Sequence, residues 1–232
     1  HSPRVPAKVS TDGLETTWGE RWESEGTYAF DRSAERAEVF SIDTPPPTVS
    51  GSLHVGHVFS YTHTDTVARF QRMRGKAVFY PMGWDDNGLP TERRVQNYFG
   101  VRCDPSLPYD PDFTPPHTGG EGKSIKARDQ VPVSRRNFVE LCERLTVEDE
   151  KQFEALWRRL GLSVDWSHTY QTIGERARKV AQTAFLHNLE RGEAYQAAAP
   201  GLWDVTFQTA VAQAELESRE YPGFYHRLAF HI

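Results

Sequence analysis

The segment Thr44–Gly51 constrains the fold of this chain more than any other. Its three consecutive prolines, Pro45–Pro47, have no backbone N–H donor and hold φ at about −65°, so the segment is a stiff, extended loop. The β-branched and aromatic residues before it predict a short strand over Glu38–Asp43. Apolar residues three or four positions apart after it predict a helix that ends at Gly75.

A second strand, Ala77–Tyr80, follows that helix and leads into a loop, Pro81–Leu89, that is rich in Gly, Asp and Asn. Strand, loop, helix and strand in this order form one βαβ unit with parallel strands. The sequence therefore predicts an α/β fold with a helix that begins at the carboxyl end of a strand. The apolar face of this helix is predicted to comprise Val55, Val58, Phe59, Thr62, Thr66, Phe70 and Met73.

The rest of the chain is predicted to be mostly loop and helix. We expect a long surface loop over Gly100–Pro132, which is rich in proline and glycine and has little periodicity. Apolar spacing predicts a helix over Ser134–Gly161, broken near Thr146 by a sequence that resembles a capping box. A further helix is predicted over Gly174–Arg191, with the inward residues Val180, Ala184 and Leu189.

Composition excludes several classes of protein. The chain has 232 residues, of which 38% are hydrophobic and 25% charged, and its net charge is −5. These values exclude disorder throughout the chain and a surface built entirely to bind a polyanion. No apolar run is long enough to span a membrane, so we expect no membrane partner. Two cysteines, Cys103 and Cys142, exclude a disulfide framework and favour a reducing, cytoplasmic location.

Two histidines at the start of the first predicted core helix are the strongest candidates for chemistry. His54 and His57 are three positions apart, so they share a helical face at an N-terminus, where unpaired N–H groups favour an anion. Gly56 between them has no side chain, so a base or ribose can approach the backbone closely. The pattern is typical of a nucleotide site, and the alternative is a pair of solvated or capping histidines. Metal ligation is less favoured because no third ligand lies nearby.

The loop after the second strand offers a carboxylate next to an aromatic side chain. Asp85 follows Trp84 at the sheet edge where α/β proteins bind ligands, and this combination suits an ammonium group in a dry pocket. The alternative is that Asp85 and Asp86 are turn-forming residues. A basic cluster at the end of the preceding helix permits either phosphate contacts or a solvated helix terminus. This cluster consists of Arg69, Arg72, Arg74 and Lys76.

Together these motifs resemble the N-terminal half of a class I aminoacyl-tRNA synthetase catalytic domain. The matching segments are Pro45–His57 (PPPTVSGSLHVGH), Arg69–Gly75 (RFQRMRG) and Gly83–Glu92 (GWDDNGLPTE), and the first contains the class signature HIGH as His-Val-Gly-His. Leu162–Ser167 (LSVDWS) resembles the valine, isoleucine and leucine subgroup. The triple proline segment is most similar to valyl-tRNA synthetases, although these usually have Asn where this chain has Thr48. The Gly-Trp-Asp sequence is more typical of isoleucyl and leucyl enzymes.

The resemblance implies the first half of a Rossmann-like (HUP-type) nucleotide-binding domain that activates an amino acid with ATP and transfers it to tRNA. By motif, His54 and His57 would donate to the ATP phosphates, and Gly56 would let adenosine lie against the helix. Asp85 would bind the substrate ammonium, and the wall of the side-chain pocket would include Pro46 and Trp84. The implied partners are valine, ATP with its Mg²⁺, and tRNA(Val), and we expect a monomer.

The resemblance also implies how the chain is divided. We predict an N-terminal extension and helix over 1–33, the first half of the catalytic domain with a helical insertion over 34–194, and a ribbon into the editing domain over 195–232. An alternating pattern predicts an extended segment at Tyr221–Ile232. The KMSKS signature, which completes the phosphate site of the class, is absent, so we expect this chain alone to be inactive. The chain stops where the editing domain would begin, so we also expect it to be non-editing. The cysteine pair of some relatives is also missing near Trp203, and therefore no zinc is expected.

Three alternatives to a valine enzyme remain open from the sequence. The first is an isoleucyl-tRNA synthetase, which the Gly-Trp-Asp sequence favours. The second is a small nucleotidyltransferase that uses the same His-x-Gly-His helix start. The third is a non-catalytic synthetase paralogue that acts as a binding module.

Overall fold

The computed structural model describes residues 10–50, 53–119, 125–205, 209–213 and 216–231. Contacts within the chain divide it into two units, His1–His187 and Asn188–Ile232. The helices are α1 (Leu14–Ser24), α2 (Val55–Met73), α3 (Leu89–Phe99), α4 (Arg135–Arg159) and α5 (Glu175–Glu190). The strands are β1 (Val39–Ser41), β2 (Ala77–Phe79), β3 (Gly83–Trp84), β4 (Val101–Cys103), β5 (Val131–Val133), β6 (Tyr170–Gln171), β7 (Trp203–Asp204) and β8 (Thr209–Ala210). The segment boundaries predicted at 33/34 and 194/195 stay predictions.

Parallel pairing around residues 77–85 forms the centre of the first unit. On one side β1 pairs with β2, and beyond these strands the Asp85 N–H donates to the Pro47 carbonyl at 2.9 Å. On the other side β3 pairs with β6, and the Asp165 N–H donates to the Tyr80 carbonyl at 3.0 Å. The helix α2 connects β1 to β2, as expected for a βαβ unit. The predicted α/β class with parallel strands is confirmed.

The predicted inward face of α2 is wrong. Its buried residues are Tyr61, Asp65 and Ala68, whereas the apolar residues at its two ends are exposed, Val55 by 83% and Met73 by 87%. Tyr61 packs on Trp157 of α4 with ring centroids 4.8 Å apart, and Asp65 is buried because other parts of the chain satisfy it. A polar residue on the buried side shifts the apparent apolar stripe, so periodicity alone selects the wrong face. Phe59 and Phe70 are exposed for the same reason, and Val58 packs partly buried against the core.

Helix α4 is continuous, so the break predicted near Thr146 is wrong. Thr146 is buried, and its hydroxyl donates to the Glu143 carbonyl of the preceding turn at 3.1 Å instead of capping a new helix. This continuity places Phe153 and Trp157 in the core beside Trp84.

The segment Gly100–Pro132, predicted to be a long loop, contains the whole of β4 and most of β5. Strand β4 pairs in parallel with β5, with Val101 opposite Val131. These strands lie at a second apolar cluster that includes Phe99 of α3 and Leu141 of α4. Runs of three residues, one of which includes a proline, are too short to show the alternation that identifies a strand in a sequence.

The inward face predicted for α5 is also wrong. Its described residues are not buried, and Val180 and Leu189 are 62% and 50% exposed. Ala184 is exposed as well.

In the second unit, β7 and β8 form an antiparallel pair. The described residues 216–231 contain no strand, so the extended prediction for Tyr221–Ile232 is not matched by strand pairing there, and Ile232 lies outside the described residues. An alternating pattern supplies a face for a strand but not the neighbouring strand that must pair with its N–H and C=O groups.

Candidate active site

The two histidines of the helix start cap α2 with their ring nitrogens. His54 has an extended backbone at the N-cap position, and its Nδ1 accepts from the Gly56 N–H at 3.1 Å. The His54 N–H in turn donates to Nδ1 of His57 at 3.3 Å, which completes a reciprocal capping box. A neutral imidazole that accepts at Nδ1 carries its proton on Nε2. Both rings therefore have an Nε2–H free of the cap and able to donate to an anion.

His57 is held as the neutral imidazole, the form that accepts at Nδ1 and donates from Nε2. Its ring centroid lies 4.0 Å from that of His54. Burial lowers the pKa of His57, and a charge on His54 lowers that pKa further. His57 is therefore neutral at pH 7, and its proton occupies Nε2. With the helix N-terminus directly beneath them, the two rings form a site suited to phosphate oxygens.

Gly56 is required by the cap itself. A Cβ atom at this position would lie 2.9 Å from Cε1 and 3.0 Å from Nδ1 of His54. Any larger residue would therefore displace the His54 ring from its hydrogen bond. The sequence indicates that Gly56 leaves room for a ligand. The structure shows that Gly56 also leaves room for the His54 ring.

Asp85 lies at the carboxyl end of β3, between two threonines from neighbouring segments. The Thr48 hydroxyl donates to Oδ2 at 3.1 Å, and the Thr172 hydroxyl lies 3.4 Å from Oδ1. Thr48 also forms a parallel bridge with Asp85 through the backbone. Two hydroxyl groups thus orient a half-buried carboxylate, which is the chemistry needed to bind a cationic group.

Trp84 and Pro46, the two predicted wall residues, lie in different environments. Trp84 is buried and lines a cleft of about 1310 Å³, whose lining residues do not include Pro46 or Asp85. Pro46 is half-buried in the proline loop, which is tied to α2 by a 2.6 Å hydrogen bond from the Tyr61 hydroxyl to the Pro45 carbonyl. Pro46 is thus fixed by its loop, and Trp84 by the core.

Phe153 of α4 connects the two groups of predicted site residues. Its ring lies edge-on to His57 at 5.9 Å and edge-on to Trp84 at 6.4 Å between centroids. The structure thus places the histidine cap and the Trp84 side of the cleft against one buried aromatic side chain. From the sequence, Phe153 is only one position of the helix predicted over Ser134–Gly161.

Comparison with known proteins assigns this arrangement to a family. Residues 17–106 and 121–228 match the model of the tRNA synthetases class I (I, L, M and V). The chain belongs to this family. The family excludes the alternative of a small nucleotidyltransferase.

Close relatives are named Valine--tRNA ligase. The protein from Bifidobacterium longum strain DJO10A is 74% identical over 226 residues, which is 97% of this chain and 25% of that protein. The proteins from Leifsonia xyli subsp. xyli and Thermobifida fusca are 72% and 73% identical, over 98% of this chain and 27% and 25% of theirs. The chain therefore spans about a quarter of the length of these relatives.

A solved structure confirms the class I fold. The ternary complex of Agrobacterium radiobacter K84 agnB2 LeuRS with tRNA and LeuAMS superposes with a TM-score of 0.65 at 23% sequence identity. The similarity covers 89% of this chain and 21% of that chain. At this identity the similarity concerns the fold.

Two arginines in the synthetase-like motif Arg69–Gly75 have a structural role. Arg69 is ion-paired with Asp65 at 2.7 Å and also donates to the Gly161 carbonyl. Arg72 donates to the hydroxyl and the carbonyl oxygen of Ser163 at 2.6 and 2.8 Å. The sequence left two interpretations open for these arginines, phosphate contacts or a solvated helix end. Their hydrogen bonds to other parts of the chain match neither interpretation. They join α2 to the motif Leu162–Ser167.

The roles of two residues of the site could not be predicted from the sequence. Thr172 lies 87 positions after Asp85, in a segment without a recognised motif. Thr48 differs from the expected Asn, and its hydroxyl donates to Asp85.

Among the described residues, no group of three or more His, Cys, Asp or Glu could hold a metal ion. The expected absence of zinc stays a prediction. Within the same residues, no helix is long and apolar enough to cross a membrane.

Proposed function

We propose that this chain is part of a valine–tRNA ligase, which forms valyl-adenylate from valine and ATP and transfers the valyl group to tRNA(Val). The observation that carries the proposal is the 72–74% identity, over nearly the whole chain, to proteins named Valine--tRNA ligase. We further propose that the intact protein is a cytoplasmic monomer.

In this proposal the capped end of α2 binds the phosphates of ATP, as the HIGH signature does in the class. The Nε2–H groups of His54 and His57 donate to phosphate oxygens and stabilise the negative charge that develops at the α-phosphorus. Gly56 gives adenosine access to the start of the helix. Mg²⁺ accompanies ATP and is held by phosphates and water. The reaction needs no covalent enzyme intermediate, so the protein acts by positioning and electrostatics.

The amino acid is held at the other end of the site. Asp85, oriented by Thr48 and Thr172, accepts hydrogen bonds from the substrate ammonium. Pro46 and Trp84 bound the pocket for the side chain. The valine carboxylate then attacks the α-phosphorus in line, and pyrophosphate leaves from the histidine side.

Binding of non-hydrolysable aminoacyl-adenylate analogues to the intact protein tests this assignment. We expect the valyl analogue to bind more tightly than the isoleucyl and leucyl analogues. Asp85→Asn should weaken the valyl analogue by about a hundredfold and leave the affinity for ATP unchanged, because it removes one charged hydrogen-bond acceptor for the ammonium.

The matched control is Asp104→Asn, since Asp104 is a half-buried loop residue whose carboxylate accepts from the Ser106 N–H and takes no part in the site. It should bind every compound as the wild type does. Equal weakening of ATP and the valyl analogue by Asp85→Asn would contradict the ammonium role. A preference for another analogue would contradict valine as the substrate.

A further inference from the structure

Asp86 is a buried carboxyl group without a hydrogen-bond donor. Its side chain is 3% exposed, and neither of its carboxyl oxygens has a hydrogen-bond partner among the described donors. Its backbone N–H lies 3.3 Å from the Thr172 hydroxyl, the same group that faces Asp85. Burying a carboxylate that nothing satisfies costs several kcal/mol, so the group needs a proton or a cation.

A second acid lies beside the Asp86 carboxyl group. The carboxyl group of Glu150, on α4, lies within hydrogen-bonding reach of the Asp86 carboxyl. Glu150 lines the 1310 Å³ cleft together with Trp84, and its Oε1 accepts from Gln171 Nε2 at 2.7 Å. A hydrogen bond between two carboxyl groups requires a proton on one of them. Asp86 therefore lies behind a cleft-lining acid, and one proton joins the two.

The charges that act on this pair are acidic. Burial, the Glu150 carboxyl and the charge of Asp85 raise the pKa of Asp86 to about 7. Burial also raises the pKa of Glu150, and the charge of Glu154, one turn further along α4, raises it further. Glu154 is itself bonded to Arg158 at 2.7 Å. The pair thus keeps a proton near neutral pH because it is buried and next to other carboxyl groups. The cleft that Glu150 lines is also lined by Arg32, Arg176 and His168.

We propose that Asp86 and Glu150 form a second carboxyl element behind the amino-acid site, which shares one proton while the site is empty and releases it when a cationic group binds to Asp85. This inference rests on the proposed function, because the α-ammonium of the amino acid is the cationic group. Asp85 is the charged acceptor for the ammonium. The Asp86–Glu150 pair is a positioning element that becomes more negative, by one proton, when the ammonium binds.

The release follows from the charges on either side of the pair. An ammonium that pairs with Asp85 neutralises one of the charges that hold the proton on Asp86. The O–H bond of the shared acid breaks, its electron pair stays on the carboxylate, and the proton passes to water. Amino-acid binding is thereby coupled to pH.

Calorimetric titration of the intact protein with L-valine tests the coupling directly. Titrations at pH 7 in phosphate and in Tris, whose ionisation enthalpies differ, give the number of protons released per valine bound. We expect a release that approaches about half a proton at pH 7, and an affinity for valine that tightens about fivefold from pH 6 to pH 8.

Asp86→Asn and Glu150→Gln should each abolish the release and reduce the pH effect to less than about twofold, because an amide cannot titrate. Glu148→Gln is the matched control, since Glu148 is exposed on the same helix and ion-paired with Lys151. It should release protons as the wild type does. Two substitutions are used because either one could impair folding.

The outcomes separate the two proposals. If the wild type does not bind valine, the proposed function fails, and this inference fails with it. If valine binds without proton release, or if both amide variants release as many protons as the wild type, the inference is overturned and the proposed function stands.

Discussion

Two of the buried aspartates of this chain, Asp65 and Asp86, have opposite surroundings. Asp65 on α2 is 7% exposed, and its carboxylate accepts from Arg69 and from both the N–H and the hydroxyl of Ser163, at 2.6–2.7 Å. Asp86 is 3% exposed, and its carboxyl oxygens have no described donor. The Asp65 carboxylate is fully hydrogen-bonded within the fold, whereas the Asp86 carboxyl group can still bind a proton or a cation.

The comparison separates structural from functional residues within the same synthetase motifs. Arg69, Arg72 and Ser163 all belong to segments that resemble the family, yet they bond to one another or to Asp65 across the joint between α2 and the segment after α4. A polar residue in such a motif is a ligand candidate only when its bonding capacity is left open. His54 and His57 meet that condition through Nε2.

The largest expected effect on the free energy of unfolding is that of replacing Asp65, whose carboxylate is fully hydrogen-bonded. Asp65→Ala leaves the Arg69 guanidinium and the Ser163 N–H without their acceptor, so it should lower the free energy of unfolding by about 3 kcal/mol. Urea unfolding of the chain, followed by tryptophan fluorescence, measures the change. Asp31→Ala is the control, because Asp31 is exposed and its carboxylate accepts only from Ser33 among the described residues. A loss below about 1 kcal/mol for Asp65→Ala would remove the contrast between the two aspartates.

The second effect has the opposite sign and depends on pH. The folded chain holds a proton on Asp86 up to a pKa of about 7, whereas the unfolded chain releases it near 3.8. The free energy of unfolding therefore falls as the pH rises between these values and is level above them. Asp86→Asn has no proton to lose, so at pH 8 it should be more stable than the wild type by more than about 1 kcal/mol.

Urea unfolding at pH 4.5 and pH 8 measures this difference. At pH 4.5, where the wild-type carboxyl is protonated, the two proteins should differ little. Glu148→Gln, on the exposed side of α4, should show no such pH dependence relative to the wild type. An Asp86→Asn variant that is less stable at pH 8 than at pH 4.5, relative to the wild type, would mean that the Asp86 carboxylate is satisfied in the folded chain.

Local patterns in the sequence predicted the parts of the fold that depend on neighbouring residues. The triple proline, the helix start at His54 and the strands on either side of α2 all follow from backbone chemistry within a few positions. The family also followed from contiguous motifs. The pairing of Thr172 with Asp85 and of Glu150 with Asp86 spans 87 and 64 positions, and no local pattern reports such contacts.

The errors in helix faces have the same origin. The side of α2 that packs inward carries Asp65, which no apolar periodicity would select, because its burial depends on donors nearly a hundred residues away. Thr146 was predicted to cap a helix because the sequence shows its neighbours but not its burial. Local rules fail at these positions because the competing partner is distant in sequence.

Substitutions at the capped end of α2 should have a small effect on the free energy of unfolding. The same substitutions should have a large effect on the rate of amino-acid activation. His54→Ala removes one capping acceptor, which should cost about 1 kcal/mol of unfolding free energy. It also removes a donor for the developing phosphate charge, as does His57→Ala, so either variant should lower the rate of amino-acid activation by about a hundredfold or more.

ATP–pyrophosphate exchange by the intact protein, with valine as the amino acid, is the measurement that tests the central claim most directly. His63→Ala is the matched control, because His63 lies on the same helix, is exposed and packs only edge-on to Phe59 among the described rings. We predict exchange that depends on valine, falls about a hundredfold in His54→Ala and His57→Ala, and is unchanged in His63→Ala. Exchange within about threefold of the wild type in both site variants would contradict the account.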